Sequence, residues 1–321
     1  MAQFIKTIQN LAFQCDLWEK NSKILIGVSG GSDSICLLSV MVKLAAKYDL
    51  KLHVAHVNYG LRGDDSKNDE IFVTKLVAKY DLPLSVLTVR NAQQKGNLEN
   101  NLRKIRYDYF EKLRNEINFD LVAVAHNQDD QAETVLMRIL RGSGLNGLGA
   151  MKSKTEKIIR PLLQTSKRDI LAYLKENKLK FRTDKSNANL DFTRNKIRHE
   201  LLPYLEKNLN PNIKKTLTQW SSVVADDYAY ISQGAKLFKS IDVKNGKICL
   251  SSAKFLKLSV AMQRQELRSI FSELKNGTHD IEVGQIEEVL KLMKSSKSKA
   301  SKAVIGGLKI LKKGDIIEIF C

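Results

Sequence analysis

The sequence predicts a doubly wound, parallel α/β sheet followed by a smaller helical/α+β domain. Short β-rich apolar runs alternate with longer stretches of helical period through the first half of the chain. A glycine–serine loop stands directly after the first run, where such a sheet passes from strand to helix. From about residue 166 the pattern turns helical and basic, and the last hundred residues mix helices with short strands. We place the division at residues 1–215 and 216–321. A chain of 321 residues exceeds what one hydrophobic core usually fills, about 250–300 residues.

Each element has its own justification. A helix is expected over residues 3–20, because Phe4, Ile5, Ile8, Leu11, Ala12 and Cys15 keep helical spacing. The runs Ile24–Val28, Leu52–Val57, Leu84–Val89 and Leu121–Ala125 read as strands covered on both faces. Connections such as Ser34–Lys47 and Asp69–Tyr80 have helical period, and crossovers of that length imply parallel pairing. Ligands of such sheets bind beyond the carboxyl ends of the strands, so the loops after Val28, Val57 and Ala125 should form one cleft. A long helix is expected over Ile213–Leu237 with Trp220 on its apolar stripe. Helices over Ala261–Leu274 and Glu282–Met293 then precede strands at Ile310–Leu311 and Ile316–Ile319. The stretch Lys294–Lys302 holds only Lys, Ser and Ala and reads as a mobile basic loop.

Composition narrows the class. Hydrophobic residues make up 43% and charged residues 27%, which excludes a largely disordered chain. No apolar run approaches the ~20 residues of a membrane span, and no signal pattern opens the chain, so a cytoplasmic protein is expected. Cys15, Cys36, Cys249 and Cys321 form no CxxC pair, which argues against a disulfide framework or zinc ribbon. The net charge of +18 is unevenly spread: +2 over residues 1–151, +10 over 152–215 and +6 over 216–321. That concentration points to a localised basic surface for a polyanion.

Two loops carry the chemistry. The first is Ser29-Gly30-Gly31-Ser32-Asp33-Ser34, between strand and helix. Its glycines let the backbone approach a bulky anion, and the following helix offers unpaired N–H groups and a positive dipole end. No GK[ST] follows, so it is not the lysine-bearing P-loop. The second runs from Ala125 and His126 through Asp129, Asp130 and Glu133 to Arg138, Arg141 and Gly142. Asp130 and Glu133, spaced i, i+3, share one helix face and can jointly bind an ammonium or a metal; paired acids at a helix start can equally be dipole compensation. His56 and His126 fall where they could line the cleft.

The Ser29–Ser34 loop resembles the SGGxDS motif of the PP-loop ATP-pyrophosphatase superfamily, whose fold is adenine nucleotide alpha hydrolase-like. With His56-Val57-Asn58-Tyr59-Gly60-Leu61-Arg62, the second loop and Ile159-Arg160-Pro161-Leu162-Leu163, the chain resembles the tRNA(Ile)-lysidine synthetase family. Asp184-Lys185-Ser186-Asn187 and Phe192-Thr193-Arg194-Asn195-Lys196-Ile197-Arg198 continue the pattern to Leu202-Pro203, so the likeness spans roughly residues 24–204. Tyr59 departs from it, since that family usually has histidine there.

The resemblance implies an ATP-dependent ligase. Attack of the wobble-cytidine carbonyl oxygen on the α-phosphate would release pyrophosphate, and the ε-amine of free lysine would then displace AMP from carbon 2. The polynucleotide substrate would be an isoleucine tRNA with a CAU anticodon. ATP would lie on Ser29, Gly30, Gly31, Ser32, Asp33, Ser34 and His56, with Mg²⁺ on Asp33. Asp130 and Glu133 would meet the lysine substrate, Arg141 the α-phosphate, and Arg194, Asn195 and Arg198 the tRNA or the adenylate. Domain 1–215 would be catalytic and domain 216–321 tRNA-contacting. The rival reading is another PP-loop tRNA-modifying enzyme such as a thiolase, whose sulfur chemistry would need a cysteine pair or an iron–sulfur ligand set. Oligomeric state stays open between monomer and homodimer.

Overall fold

A computed structural model describes residues 2–61, 63–89, 98–182, 193–236, 242–244, 247–274, 283–295 and 301–321. Arg62, Asp184–Asn187, Phe192 and the centre of the Lys294–Lys302 stretch lie outside the described residues. The chain divides into two compact units, one of Met1–Met137 with Met151–Gln219 and one of Arg138–Ala150 with Trp220–Cys321.

In the first unit α1 (Ala2–Gln14) precedes β1 (Lys23–Gly27), α2 (Ser32–Tyr48), β2 (Lys51–Asn58), α3 (Asp64–Ala78) and β3 (Leu84–Thr88). Next come α4 (Leu98–Glu116), β4 (Leu121–Ala123) and α5 (Gln128–Leu140), then α6 (Leu145–Leu148), which belongs to the second unit. The first unit resumes with β5 (Ile158–Ile159), α7 (Lys167–Glu176), α8 (Thr193–Lys196), a π-helical turn at Ile197–Leu201 and α9 (Leu202–Asn208). Helix α10 (Ile213–Lys236) follows. The opening helix is therefore shorter than the expected 3–20, ending in a turn where Asp16 takes a positive φ of 46°.

The sheet has the order β3-β2-β1-β4-β5, and every pairing is parallel. Alternate residues of the central strand serve opposite faces, as the two-residue side-chain period requires. Ile24 and Ile26 join a core with Ile8, Leu11, Ile35, Leu38, Met41, Ile170 and Tyr173, supplied by α1, α2 and α7. Leu25 joins the opposite core with Ala55, Phe110, Leu113 and Val122, supplied by α4. Gly27 is required by packing, since a Cβ there would lie 2.7 Å from the Phe110 ring. The chain leaves β1 to one side for β2 and later places β4 on the other. The crevice of a doubly wound sheet therefore opens between the carboxyl ends of β1 and β4.

The second unit is an antiparallel sheet, β6-β7-β10-β9-β8. Its strands are β6 (Asp242–Lys244), β7 (Lys247–Ser251), β8 (Ser301–Ile305), β9 (Leu308–Lys313) and β10 (Ile316–Phe320). Its helices are α11 (Ser252–Phe255), α12 (Val260–Leu274) and α13 (Val283–Lys294). One face packs Ile248, Leu250, Ile310, Ile317 and Ile319 against Leu267, Phe271, Ile286 and Leu290. Gly306 and Gly307, at φ 56° and 79°, make the two-residue turn between β8 and β9. Lys312 caps α13: its Nζ donates to the carbonyls of Met293 at 2.7 Å and Ser295 at 2.6 Å. Two expectations are corrected. Trp220 is 41% exposed while Leu217 and Val224 are buried, so the apolar stripe of α10 runs beside it. The Lys294–Lys302 stretch is not wholly loop, because α13 extends through Lys294 and β8 begins at Ser301.

Glu266 on α12 is 4% exposed, and its Oε1 has no hydrogen-bond partner. Burial pushes its carboxyl up to about 7. Between the ordinary glutamate range and pH 7 the folded state thus holds a proton that the unfolded state has released, so stability should fall as pH rises through that window. Urea denaturation of wild type and Glu266→Gln from pH 5 to 8, followed on the second unit, should show this slope only in wild type. Equal slopes would contradict it.

Candidate active site

The loop after β1 is shaped to receive an anion. Gly30 takes φ 92°, a conformation natural to glycine, and the Val28 amide donates to Ala55 O at 2.9 Å. Gly31 is the N-cap of α2 and, having no side chain, gives the first amides of that helix no side-chain acceptor. The serine hydroxyls brace the turn. Ser34 Oγ donates to Gly31 O at 2.9 Å, accepts from Ser29 N at 3.2 Å, and lies 3.2 Å from Ser29 Oγ. Backbone amides are thus the open donors, with Ser29 and Ser34 holding the curve. Beneath the loop, His56 is 3% exposed; its Nδ1 hydrogen-bonds Val28 O at 2.8 Å, while its buried Nε2 has no partner.

A lysine outside the expected set closes the loop. The Nζ of Lys167, at the start of α7, donates to Ser32 Oγ at 2.7 Å and to both carboxylate oxygens of Asp33 at 2.7 and 2.8 Å. Burial raises the Asp33 pKa, the Lys167 ammonium opposes that, and the Asp130 charge adds to the rise. Asp129 turns away from Asp130: it accepts from Lys167 N at 3.1 Å and pairs with Lys214 at 2.8 Å.

Asp130 and Glu133 sit on the first turns of α5 with opposite degrees of freedom. Asp130 and Asn127 bond reciprocally, backbone N to side-chain oxygen at 3.1 Å each way, which fixes the helix start. Glu133 is 1% exposed and fully engaged. Arg194 Nε donates to it at 2.9 Å, and Arg198 Nε and Nη2 donate at 2.6 and 2.9 Å in a fork. The same guanidiniums reach Asp130 Oδ1 at 3.4 and 3.1 Å. Burial works to lower the Arg198 pKa, but the hydrogen bonds and charges of Glu133 and Asp130 outweigh it. Arg198 lies in the π-helical turn after α8, a local widening often found at functional sites. Asn195 is half-buried on α8.

The structure therefore gathers Ser29–Ser34, His56, Asp130, Glu133, Arg194 and Arg198 in the first unit. Arg141 belongs to the second unit and is exposed. Sequence reasoning missed Lys167, whose only signal was its place as the first residue after a Ser166 helix cap. It also missed Arg103 and Arg106 of α4 and the role of Arg160. A cavity of about 190 Å³ is lined by Ser29, Gly31, Asp33, Tyr59, Arg106 and His126, among others. No helix among the described residues is long and apolar enough to cross a membrane.

A profile of the PP-loop domain family matches residues 1–205. The chain is 34% identical over 302 residues to the tRNA(Ile)-lysidine synthase of Clostridium tetani, covering 92% of this chain and 64% of that protein. It is 37% identical over 281 residues to the protein of that name from Caldanaerobacter subterraneus subsp. tengcongensis, covering 86% and 60%. The chain thus spans somewhat under two thirds of the length of these curated relatives. A solved structure, the U34-tRNA thiolase NcsA from Methanococcus maripaludis with its [4Fe-4S] cluster, superposes with a TM-score of 0.59 at 21% identity, covering 70% of this chain and 79% of that one. That likeness is one of fold. The chain belongs to the PP-loop domain family.

The Glu133 cluster sets a measurable coupling. Removing one partner of a buried charge pair costs about 3–5 kcal/mol, because the other charge is left uncompensated. Glu133→Gln and Arg198→Gln should each destabilise the first unit by roughly that much, and the double variant by clearly less than their sum. Additive losses in a denaturation cycle would show that the fork makes no net contribution.

Proposed function

We propose that this PP-loop protein joins lysine to carbon 2 of the wobble cytidine in an isoleucine tRNA with a CAU anticodon, consuming ATP. The observation that carries the reading is one of position. An anion-receiving loop with Asp33, which follows β1, lies within electrostatic range of the half-buried Asp130 on the helix after β4. The names of the curated relatives support the same reading.

The chemistry follows from those groups. ATP binds with its pyrophosphate portion against the α2 amides, whose partial positive charge matches the departing pyrophosphate. Attack by the cytosine carbonyl oxygen on the α-phosphorus forms one P–O bond and breaks another. The ε-amine of lysine then attacks carbon 2, AMP departs with the former carbonyl oxygen, and the amine loses a proton. Asp130, the more accessible of the two acids, receives or orients that amine. Glu133 stays buried and fixes the guanidiniums. An incoming lysine ammonium replaces the Asp130 contacts of Arg194 and Arg198, whose freed N–H donors, with Asn195, meet the adenylate or the tRNA while both guanidiniums stay on Glu133.

A magnesium ion fits the donor set, since Mg²⁺ is commonly held by one or two carboxylates and substrate phosphates. Asp33 is the residue that would hold it, in exchange for Lys167, and bound there it would neutralise phosphate charge. Lys167 is then released toward the pyrophosphate oxygens. A tRNA substrate also accords with a cytoplasmic protein.

Cysteine chemistry fits poorly. Burial pushes the Cys36 thiol up to about 12, and no group of three or more metal-binding side chains occurs among the described residues. The test is release of AMP with CAU-anticodon tRNA(Ile), in the presence and absence of lysine. Lysine-dependent release supports the reading, whereas release that needs a sulfur donor instead would assign a thiolase. Asp130→Asn should abolish lysine incorporation, by more than about 100-fold, while ATP affinity changes little. Retained incorporation would remove Asp130 from the reaction.

A further inference from the structure

A second group of cations, of which Arg106 lines the cavity, takes no part in the Glu133 cluster. Helix α4 brings Arg103 and Arg106 over the ring of Tyr107, their guanidinium carbons 5.0 and 5.5 Å from its centroid. Arg160, just after β5, is 7% exposed; its Nε donates to His126 Nδ1 at 3.3 Å and its Nη1 to Lys152 O at 2.8 Å. Burial, followed by the charges of Arg160, Arg103 and Arg106, holds the His126 pKa well below its ordinary value. The imidazole is therefore neutral, and it adds nothing to the positive charge around it.

These three arginines differ from five other cations of the unit. Lys167, Arg182, Arg194, Arg198 and Lys214 each meet a carboxylate. Among the described residues none pairs with Arg103, Arg106 or Arg160. Arg106 also keeps a buried Nε with no hydrogen-bond partner, and it lines the cavity with Ser29, Gly31 and His126. Three guanidiniums around one neutral imidazole repel one another, and an unmade buried hydrogen bond is destabilising. Such an arrangement is relieved by an oxyanion with several acceptor oxygens.

We propose that Arg103, Arg106 and Arg160 form a second oxyanion subsite, beside the phosphate loop, whose ligand is a backbone phosphate of the RNA substrate. The nucleotide's own phosphates are met by the α2 amides with Ser32 and Lys167 on the loop side. An arginine lying on an aromatic ring suits an unstacked ribonucleotide, offering a fork to the phosphate and a flat face to a base. The neutral His126 supplies a hydrogen-bonding group there without further repulsion. This subsite rests on the reading that RNA is the substrate.

The test uses the full chain and a CAU-anticodon stem-loop of tRNA(Ile), with a fluorescent ATP analogue measured in parallel. For Arg103→Gln/Arg106→Gln the RNA affinity should fall about tenfold or more. The slope of its logarithm against log salt should shrink by about one per lost phosphate contact, with nucleotide affinity held within about twofold. Unchanged RNA affinity and slope would overturn the subsite. So would a loss of nucleotide affinity alone, which would assign these arginines to ATP. If the double variant does not fold, Arg106→Lys carries the test, since it keeps the charge and removes the fork; unchanged RNA affinity there overturns the proposal equally. AMP release by wild type is scored separately. RNA binding that depends on these arginines without lysine-dependent AMP release sinks the lysidine reading and leaves the subsite standing. A wild type that binds no stem-loop overturns both.

Discussion

The buried carboxylate of Glu133 is the constraint around which the first unit's site is built. At 1% exposure it has no water to solvate it, so its charge has to be met by the protein. Arg194 and Arg198 meet it with three hydrogen bonds of 2.6–2.9 Å. Those bonds tie α8 and the π-helical turn to α5, across more than sixty residues of sequence. Asp130, one helical turn earlier, shares the same guanidiniums at longer range, so it is the partner more readily exchanged. The difference between a fully committed acid and a loosely held one lets a single pair of residues serve both architecture and chemistry.

The phosphate loop shows the same division on a smaller scale. Its serines, which look like phosphate donors in sequence, are spent mainly on each other and on Gly31 O. That bracing fixes the backbone with its amides outward, and amides held by a fold need no reorganisation when charge develops beside them. Lys167 on Asp33 completes a locally neutral loop. Two salt-bridged arrangements, Lys167–Asp33 and Arg194/Arg198–Asp130/Glu133, thus leave the crevice with few uncompensated charges. Against that background the three arginines around His126 stand out.

Much of this was legible in the sequence, and the reasons for the rest are physical. The first four strands of the parallel sheet were readable as short apolar runs, with β1, β2 and β4 largely buried and the edge strand β3 half-exposed. Strand β5 was not, since two residues, Ile158 and Ile159, carry no period. In the second unit β7 escaped because Lys247 and Ser251 leave it only the short apolar run Ile248–Leu250, and β8 because Ser301-Lys302-Ala303 reads like the low-complexity run before it. Asp33, Asp130, Glu133, Arg194 and Arg198 could be singled out one by one from local motifs. Their pairing could not, because it joins distant segments and depends on which side chains the fold leaves dry. Lys167 was hidden for a related reason, as one lysine in a segment where lysines are common.

The net charge of +18 changes meaning once positions are known. The concentrated excess over residues 152–215 suggested that its arginines were free for a polyanion. Yet Arg182, Arg194 and Arg198 of that segment are held by carboxylates of the nearly neutral first half, Asp69, Asp130 and Glu133. Conversely, Arg103 and Arg106 lie in that nearly neutral half and have no such partner among the described residues. Segment charge counts therefore misplace the available positive potential, because they ignore pairing across the fold. What an anion feels is the uncompensated remainder, and in a low-dielectric crevice a few unpaired guanidiniums outweigh many solvated lysines. On that ground a cation's lack of a carboxylate partner, rather than its membership of the most basic stretch of sequence, sets where a phosphate is held against the site.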